Sequence, residues 1–490
     1  MNLKKKNFSK NALSFTKFQI FLGGFIILSM GILIGFLVPH TQSTSKEPNI
    51  NNNKSVTSKK ASNDDEYVRE VKELIKTKYY KQVDDSKLVN GSIKGMLDSL
   101  EDPYTTYLNQ KEAQSLTDTI SSSIVGIGVT VMEKDKLIVI DSVVEGSPAK
   151  KAGIKANDII VKVNGKSVIG KRTSETTKLI RGKKGTTVEV TVKRGDQEIN
   201  YKMSRDTIPI ETVKHNMVNQ NVGYIRVSTF SKPTTKEFKS AIEDLRQKGA
   251  KKFVIDMRGN PGGELNQALS MTSMFLKNGN PIMQVQGRNK NDLIVYRADK
   301  KYDQGFKIEE PSAVLIDGES ASAAEIFAVG LKFNRIPVVG IKSFGKGTVQ
   351  SVVDLPDDAE LKITIAKWLT PDGTWINHKG IKPDYLVDYP DFTKLAFNDV
   401  KTPLKNGDVS PNIKSFQKGL TALGFVPGNE KGIFDAETEG AVKKFQAKRE
   451  ITENGLIDES TIQEMFRALS ELAKKQDPIK NKAVELLQNR

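Results

Sequence analysis

Glu319-Ser320-Ala321-Ser322-Ala323-Ala324-Glu325-Ile326, followed by Ser343-Phe344-Gly345-Lys346-Gly347-Thr348-Val349-Gln350, is the stretch from which this chain is best read. Small residues crowd a serine turn at the head of an apolar helix. A lysine follows 24 residues after Ser322, set between two glycines. A serine hydroxyl is a weak nucleophile until a neighbouring base takes its proton. A lysine kept neutral by desolvation can do so without histidine or metal. Its surroundings must then be dry and lack a carboxylate. Gln350, four residues beyond Lys346, can hold a neutral amine by hydrogen bond, much as aspartate orients histidine in a triad. Ser322 and Glu325 also have the S-x-x-E spacing of a capping box, so Ser322 could serve only as a helix cap. Ser320 is the competing nucleophile.

Outward from this stretch the chain alternates strands and helices, the pattern of an α/β core over 205–392. Phe253 to Met257 reads as a buried strand that runs into Arg258-Gly259-Asn260-Pro261-Gly262-Gly263. Ala313 to Asp317 reads as another, leading into the serine turn. Residues 118–204 change character: a glycine loop, Val125-Gly126-Ile127-Gly128-Val129, opens a run of short strands with turns at Gly146-Ser147-Pro148-Ala149 and Asn164-Gly165. This segment resembles a PDZ domain. Such a domain takes a peptide as an added strand, and loop amides near Ile127, Gly128 and Val129 would hold the terminal carboxylate.

The S-A-S-A-x-E-I and F-G-K-G-x-V-Q motifs, preceded by D-x-R-x-N-P-G-G, resemble the carboxyl-terminal processing peptidase (tail-specific protease) family over about 64–390. The stretch Asp102-Pro103-Tyr104-Thr105-Thr106-Tyr107 adds to the likeness. The resemblance implies Ser322 as nucleophile, Lys346 as base and Gln350 as its support. It places the oxyanion hole on the backbone amides of Ala323 and of Gly262 or Gly263. It also implies homodimers and a PDZ domain able to gate the site. Two departures stand out: the stretch near Lys332-Phe333-Asn334-Arg335-Ile336 is one residue shorter than usual, and Ala324 replaces a serine.

Residues 405–470 hold a crude repeat, in which Phe416-Gln417 is echoed by Phe445-Gln446, and Gly432-Ile433-Phe434-Asp435 by Gly455-Leu456-Ile457-Asp458. The unit resembles a small helical peptidoglycan-binding module; the alternative is a helical appendage for dimer contacts. Residues 471–490 read as a charged helical tail with a solvated face, and 64–117 as a helical N-terminal part of the protease.

At the start, 1–17 is basic, and Phe18 to Val38 is a run of 21 residues without a charge. At about 1.5 Å per residue such a run spans a bilayer core of ~30 Å. With lysines before it, the N-terminus is expected in the cytoplasm and the remainder outside, on a flexible linker over 41–63. A cleaved signal peptide is the rival reading. Composition narrows the rest. Cysteine is absent, which excludes thiolate chemistry and disulfides. The three histidines have no metal-ligand spacing, so neither metal nor cofactor is expected. The net charge of +16 is dispersed, without aromatic interleaving, and points away from nucleic acid. The expectation is therefore a multidomain α/β protein: a transmembrane helix, a helical segment, a PDZ domain before a protease core, and a helical C-terminal module. Its function would be extracytoplasmic serine endopeptidase acting on proteins with exposed C-terminal tails; a silent scaffold of PDZ and wall module is the alternative.

Overall fold

The computed structural model describes residues 64–134, 136–397 and 402–489. The expected basic terminus, anchor and linker lie outside them. Among the described residues no helix is long and apolar enough to cross a membrane. The chain divides into two units, residues 1–107 and 108–490.

The first unit holds α1 (Asp64–Lys78) and α2 (Asp85–Asp98). Asp84 caps α2 by accepting the Ser86 amide, and Lys72 and Lys76 reach Asp85 at 2.8 and 3.1 Å. The apolar stripe Val68, Val71 and Leu74 is exposed.

The second unit opens with α3 (Gln110–Ser121), whose N-terminus is closed by a capping box between Asn109 and Glu112. β1 (Ser123–Gly126) then leads into an inserted domain. Its sheet runs in chain order: β2 (Val129–Lys134), β3 (Leu137–Val143), β4 (Ile159–Val163), β5 (Thr187–Arg194) and β6 (Gln197–Ser204), all antiparallel. Two short helices, α4 (Pro148–Ala152) and α5 (Thr173–Ile180), complete it. The alternation Val188, Val190, Val192 in β5 puts one face into a core with Ile138, Ile140 and Ile160. Asp158 is buried beneath Arg194, which grips it through two nitrogens, each at 2.7 Å. The domain leaves through β7 (Asp206–Pro209), which pairs antiparallel with β1, so entry and exit lie side by side.

The core then builds β8 (Val213–Met217), β9 (Val222–Val227), α6 (Thr234–Gln247), β10 (Lys252–Asp256) and α7 (Leu265–Met274). β11 (Pro281–Gln286), β12 (Leu293–Arg297), β13 (Ser312–Ile316), α8 (Ala323–Phe333) and β14 (Val338–Gly340) follow. The last strands are β15 (Thr348–Asp354), β16 (Glu360–Leu369) and β17 (Tyr385–Leu386). The main sheet has the order β8-β9-β10-β13-β14-β17 and is parallel except at the β8 edge. β11, β12, β15 and β16 pair antiparallel within a separate five-stranded sheet. Phe253, Ile255, Val314 and Ile316 of the main sheet face α6, α7 and α8. Val254, Ala313 and Leu315 point the other way, which is why these strands read as unbroken apolar runs.

The C-terminal module packs α9 (Pro411–Ala422), α10 (Ala436–Lys448) and α11 (Glu459–Lys475) around Phe416, Leu420, Phe445 and Met465. The repeat is a repeated hydrogen-bond device. Gln417 donates to Ile433 O and Thr438 Oγ1 and accepts the Gly432 amide; Gln446 treats Leu456, Thr461 and Gly455 alike. Asp435 and Asp458 cap their helices through the Thr438 and Thr461 amides, each at 2.8 Å.

The tail departs from expectation. α11 stops at Lys475, and after Gln476-Asp477 a new helix, α12 (Pro478–Gln488), lies on the second face of the main sheet. Ile479, Ala483 and Leu487 are fully buried against Val222, Val254, Leu315 and Val339. These three residues recur every fourth position and form one apolar stripe that the surrounding Lys and Glu residues mask in sequence. A sheet apolar on both faces needs this cover.

Candidate active site

Ser322 sits at the head of α8 with φ 54° and ψ −115°. A non-glycine residue in that region is strained, by roughly 1–3 kcal/mol, and such strain concentrates at reactive turns. The serine is half-buried, between buried Ala321 and Ala323. Ser320 is fully buried; its hydroxyl donates to Met257 O at 2.8 Å and accepts the Asp317 amide at 2.9 Å, so no substrate can reach it.

Glu325, which the sequence offered only as a capping partner, holds the site together. It is fully buried in α8. Its Oε2 accepts the Ser322 amide at 2.8 Å and the Lys346 amide at 2.9 Å. Its Oε1 accepts the Ser343 hydroxyl at 2.6 Å and the Gly345 amide at 2.8 Å. One carboxylate oxygen thus joins the main chains of Ser322 and Lys346. Burial pushes the Glu325 carboxyl above the ordinary carboxylate range, against the pull of these four hydrogen bonds. This carboxylate meets Lys346 at its main-chain amide, and its acceptor positions are taken up by these four donors.

The chain's two tryptophans fix the lysine turn from the other side: Trp368 Nε1 donates to Lys346 O and Trp375 Nε1 to Gly347 O, both at 2.8 Å. Lys346 is half-buried. Gln350 lies on β15, where its side-chain nitrogen donates to Thr348 Oγ1 at 2.9 Å and Thr364 Oγ1 at 3.1 Å. The carbonyl end, Oε1, is what remains for an amine donor. α8 ends within the stretch 332–336: Asn334 closes the helix and Arg335 takes a positive φ of 66°.

The loop Arg258–Gly263 abuts the serine. A Cβ on Gly262 would fall 2.8 Å from Ser322 Cβ, and the Ala321 amide donates to Asn260 O at 2.9 Å. The Gly262 amide is already used, donating to Asn260 Oδ1 at 2.8 Å. Among the described residues, neither the Gly263 amide nor the Ala323 amide donates to a protein acceptor. Asp317 ties the two loops: its Oδ1 accepts the Gly259, Glu319 and Ser320 amides at 3.0–3.1 Å.

In the inserted domain β2 is a sheet edge, with α5 beside it. The Ile127 side chain is buried in that domain's core, so only its backbone can meet a ligand. The Ile127 and Gly128 amides have no protein acceptor among the described residues. Val129 starts the edge strand.

An α/β core with a strained serine turn, a buried scaffold linking it to a lysine turn, and an inserted domain with an open edge strand defines a multidomain serine peptidase. The comparisons with known proteins agree. Residues 221–387 match the model of peptidase family S41, 125–204 that of the PDZ domain, and 409–465 that of a peptidoglycan binding domain. Residues 26–112 match the activating protease CtpB N-terminal domain. Carboxy-terminal processing protease CtpA of Bacillus subtilis is 44% identical over 417 residues, 85% of this chain and 88% of that protein. A "Probable CtpA-like serine protease" of Staphylococcus epidermidis is 35% identical over 465 residues, 94% of this chain and 93% of the relative. The solved photosystem II D1 C-terminal processing protease is similar at 27% identity and a TM-score of 0.40, over 65% of this chain and 86% of that one. This chain belongs to the carboxy-terminal processing serine proteases of family S41.

Proposed function

We propose that the chain hydrolyses peptide bonds with a Ser322–Lys346 dyad, on proteins whose C-terminal tails dock on β2. Neutral Lys346 accepts the Ser322 proton as Oγ bonds to the scissile carbonyl carbon. The oxyanion is received by the Gly263 and Ala323 amides, at the positive end of α8. The lysine ammonium returns the proton to the leaving amine; water then attacks the acyl-enzyme with Lys346 again as base. Gln350 orients the amine through Oε1.

The observation that carries this reading is the Glu325 carboxylate, which holds the Ser322 and Lys346 main chains on a single oxygen. The Gly263 and Ala323 amides, which have no protein acceptor among the described residues, support the oxyanion assignment. For tail recognition, the support is the β2 edge, headed by the Ile127 and Gly128 amides, which have no protein acceptor among the described residues. We further propose that residues 18–38 anchor the chain, leaving the catalytic part outside the cell, and that 409–465 engages peptidoglycan there.

The test is casein digestion by the full-length chain beside Ser322→Ala and Lys346→Ala, with fragments followed by mass spectrometry. Cleavage by the parent and by neither variant is expected. Equal cleavage by all three refutes the dyad. A parent that binds tail peptides yet cleaves nothing, with or without them, would instead favour the scaffold reading.

A further inference from the structure

The C-terminal helix does more than cover the sheet. Asp477, the residue just before α12, accepts the Lys480 amide at 3.0 Å as a helix cap. It also binds Arg258, whose Nη1 donates to Asp477 Oδ1 at 2.9 Å and Nη2 to Oδ2 at 2.7 Å. The inner edge of the same guanidinium is held by Asp256, with Nε at 2.9 Å from Oδ1 and Nη2 at 2.6 Å from Oδ2. Tyr224 donates to Asp256 Oδ2 at 2.5 Å. Arg258 is thus clamped on both edges by two carboxylates, one from its own loop and one from 219 residues away. Burial alone would raise the Asp256 carboxyl, but the guanidinium beside it holds it below the ordinary range.

Arg258 is also the first residue of the loop that carries Gly263. After it, Gly259 is fixed by Asp317, Asn260 accepts from Ala321, and Gly262 abuts Ser322. The position of the Gly263 amide is therefore determined at one end by the serine turn and at the other by Arg258. The anchorage of Asp477 is rigid: Ile479, Ala483 and Leu487 are buried, and Lys252 Nζ donates to Leu487 O at 2.6 Å.

We infer that Asp477 is a positioning residue for the oxyanion loop, acting through Arg258, so that the segment after the peptidoglycan-binding module completes the catalytic centre. This rests on the assignment of Gly263 as an oxyanion donor. Removing Asp477 leaves Arg258 paired with Asp256 but frees its outer edge. The cavity there is also lined by Arg226, Lys474 and Lys480, which repel the freed guanidinium. A donor displaced by even ~1 Å costs about 100-fold in rate.

The test uses the full-length chain with Asp477→Ala, Asp477→Glu and, as a control that loosens α12 without touching Arg258, Leu487→Ala. Steady-state cleavage of a peptide substrate and amide exchange over 258–264 are measured on each. For Asp477→Ala the expected result is a kcat lower by 10- to 100-fold, KM within about twofold, and faster exchange over 258–264. Asp477→Glu recovers part of kcat, and Leu487→Ala lowers thermal stability with kcat within about threefold of the parent. A kcat for Asp477→Ala within twofold of the parent overturns the inference, as does unchanged exchange over 258–264. Equal losses in Asp477→Ala and Leu487→Ala overturn it too, because loosening would then suffice. Ser322→Ala, run alongside, reports separately on the dyad, and exchange does not depend on cleavage.

Discussion

Glu325 shows how one buried side chain can serve a site without touching substrate. Each of its oxygens accepts two donors, so an amide in its place would turn an NH2 group toward two N–H or O–H donors. Glu325→Gln is therefore expected to lower kcat about 100-fold, almost as far as Glu325→Ala, with KM changed little. A Gln variant with full activity would show that the carboxylate is dispensable. The S-x-x-E spacing and the turn at the head of α8 were legible; the wider role of the glutamate was not. Its partners Ser343, Gly345 and Lys346 lie 18 to 21 residues on, and only the fold brings them under α8. One signal was present: a carboxylate inside the apolar run Ala323 to Leu331 must be paired if buried.

Among the elements, the inserted domain makes the most testable demands. A Cβ on Gly128, which has φ +82°, would fall 2.2 Å from Ser147 Cβ. Gly128→Val must therefore shift the loop that heads β2 and is expected to weaken binding of a peptide with a free C-terminal carboxylate at least tenfold by fluorescence anisotropy, leaving kcat on a tail-less substrate unchanged. Asp158 makes the domain acid-sensitive. Burial favours its neutral form, but Arg194 holds its carboxyl below the usual range. A depressed folded pKa contributes stability above the unfolded value of about 3.9, and that contribution disappears as pH falls through the folded value. Asp158→Asn should thus be less stable than the parent by about 2–3 kcal/mol at neutral pH, the gap narrowing below about pH 4 in melts followed by circular dichroism. The strand and turn pattern of this domain was legible because period-two alternation and the Asn164-Gly165 turn are local signals. That β2 is an edge followed only from the PDZ resemblance, because strand order is not a local property.

For the molecule as a whole, the reach of the C-terminus matters most. α12 buries Leu487 and Ile479 completely on the main sheet. Leu487→Ala is expected to destabilise the folded chain by about 2–4 kcal/mol in denaturant titration. Ending the chain after Lys475 uncovers Val254, Leu315 and Val339, so the expected product is insoluble; a soluble, active product would show that α12 is an accessory.

By itself, the sequence determined the parts: the serine and lysine turns, the glycine loop, the α/β alternation and the twofold Phe-Gln repeat. Each is set by the chemistry of neighbouring residues and by periods of two or 3.6 that follow from backbone geometry. Only the tertiary structure decided that the Gly262 amide is spent on Asn260, that Glu325 joins the serine and lysine turns, and that Asp477 reaches Arg258. Those are contacts between residues up to 219 positions apart. A charge-rich tail reads as solvated until a sheet with two apolar faces is seen to need cover on both.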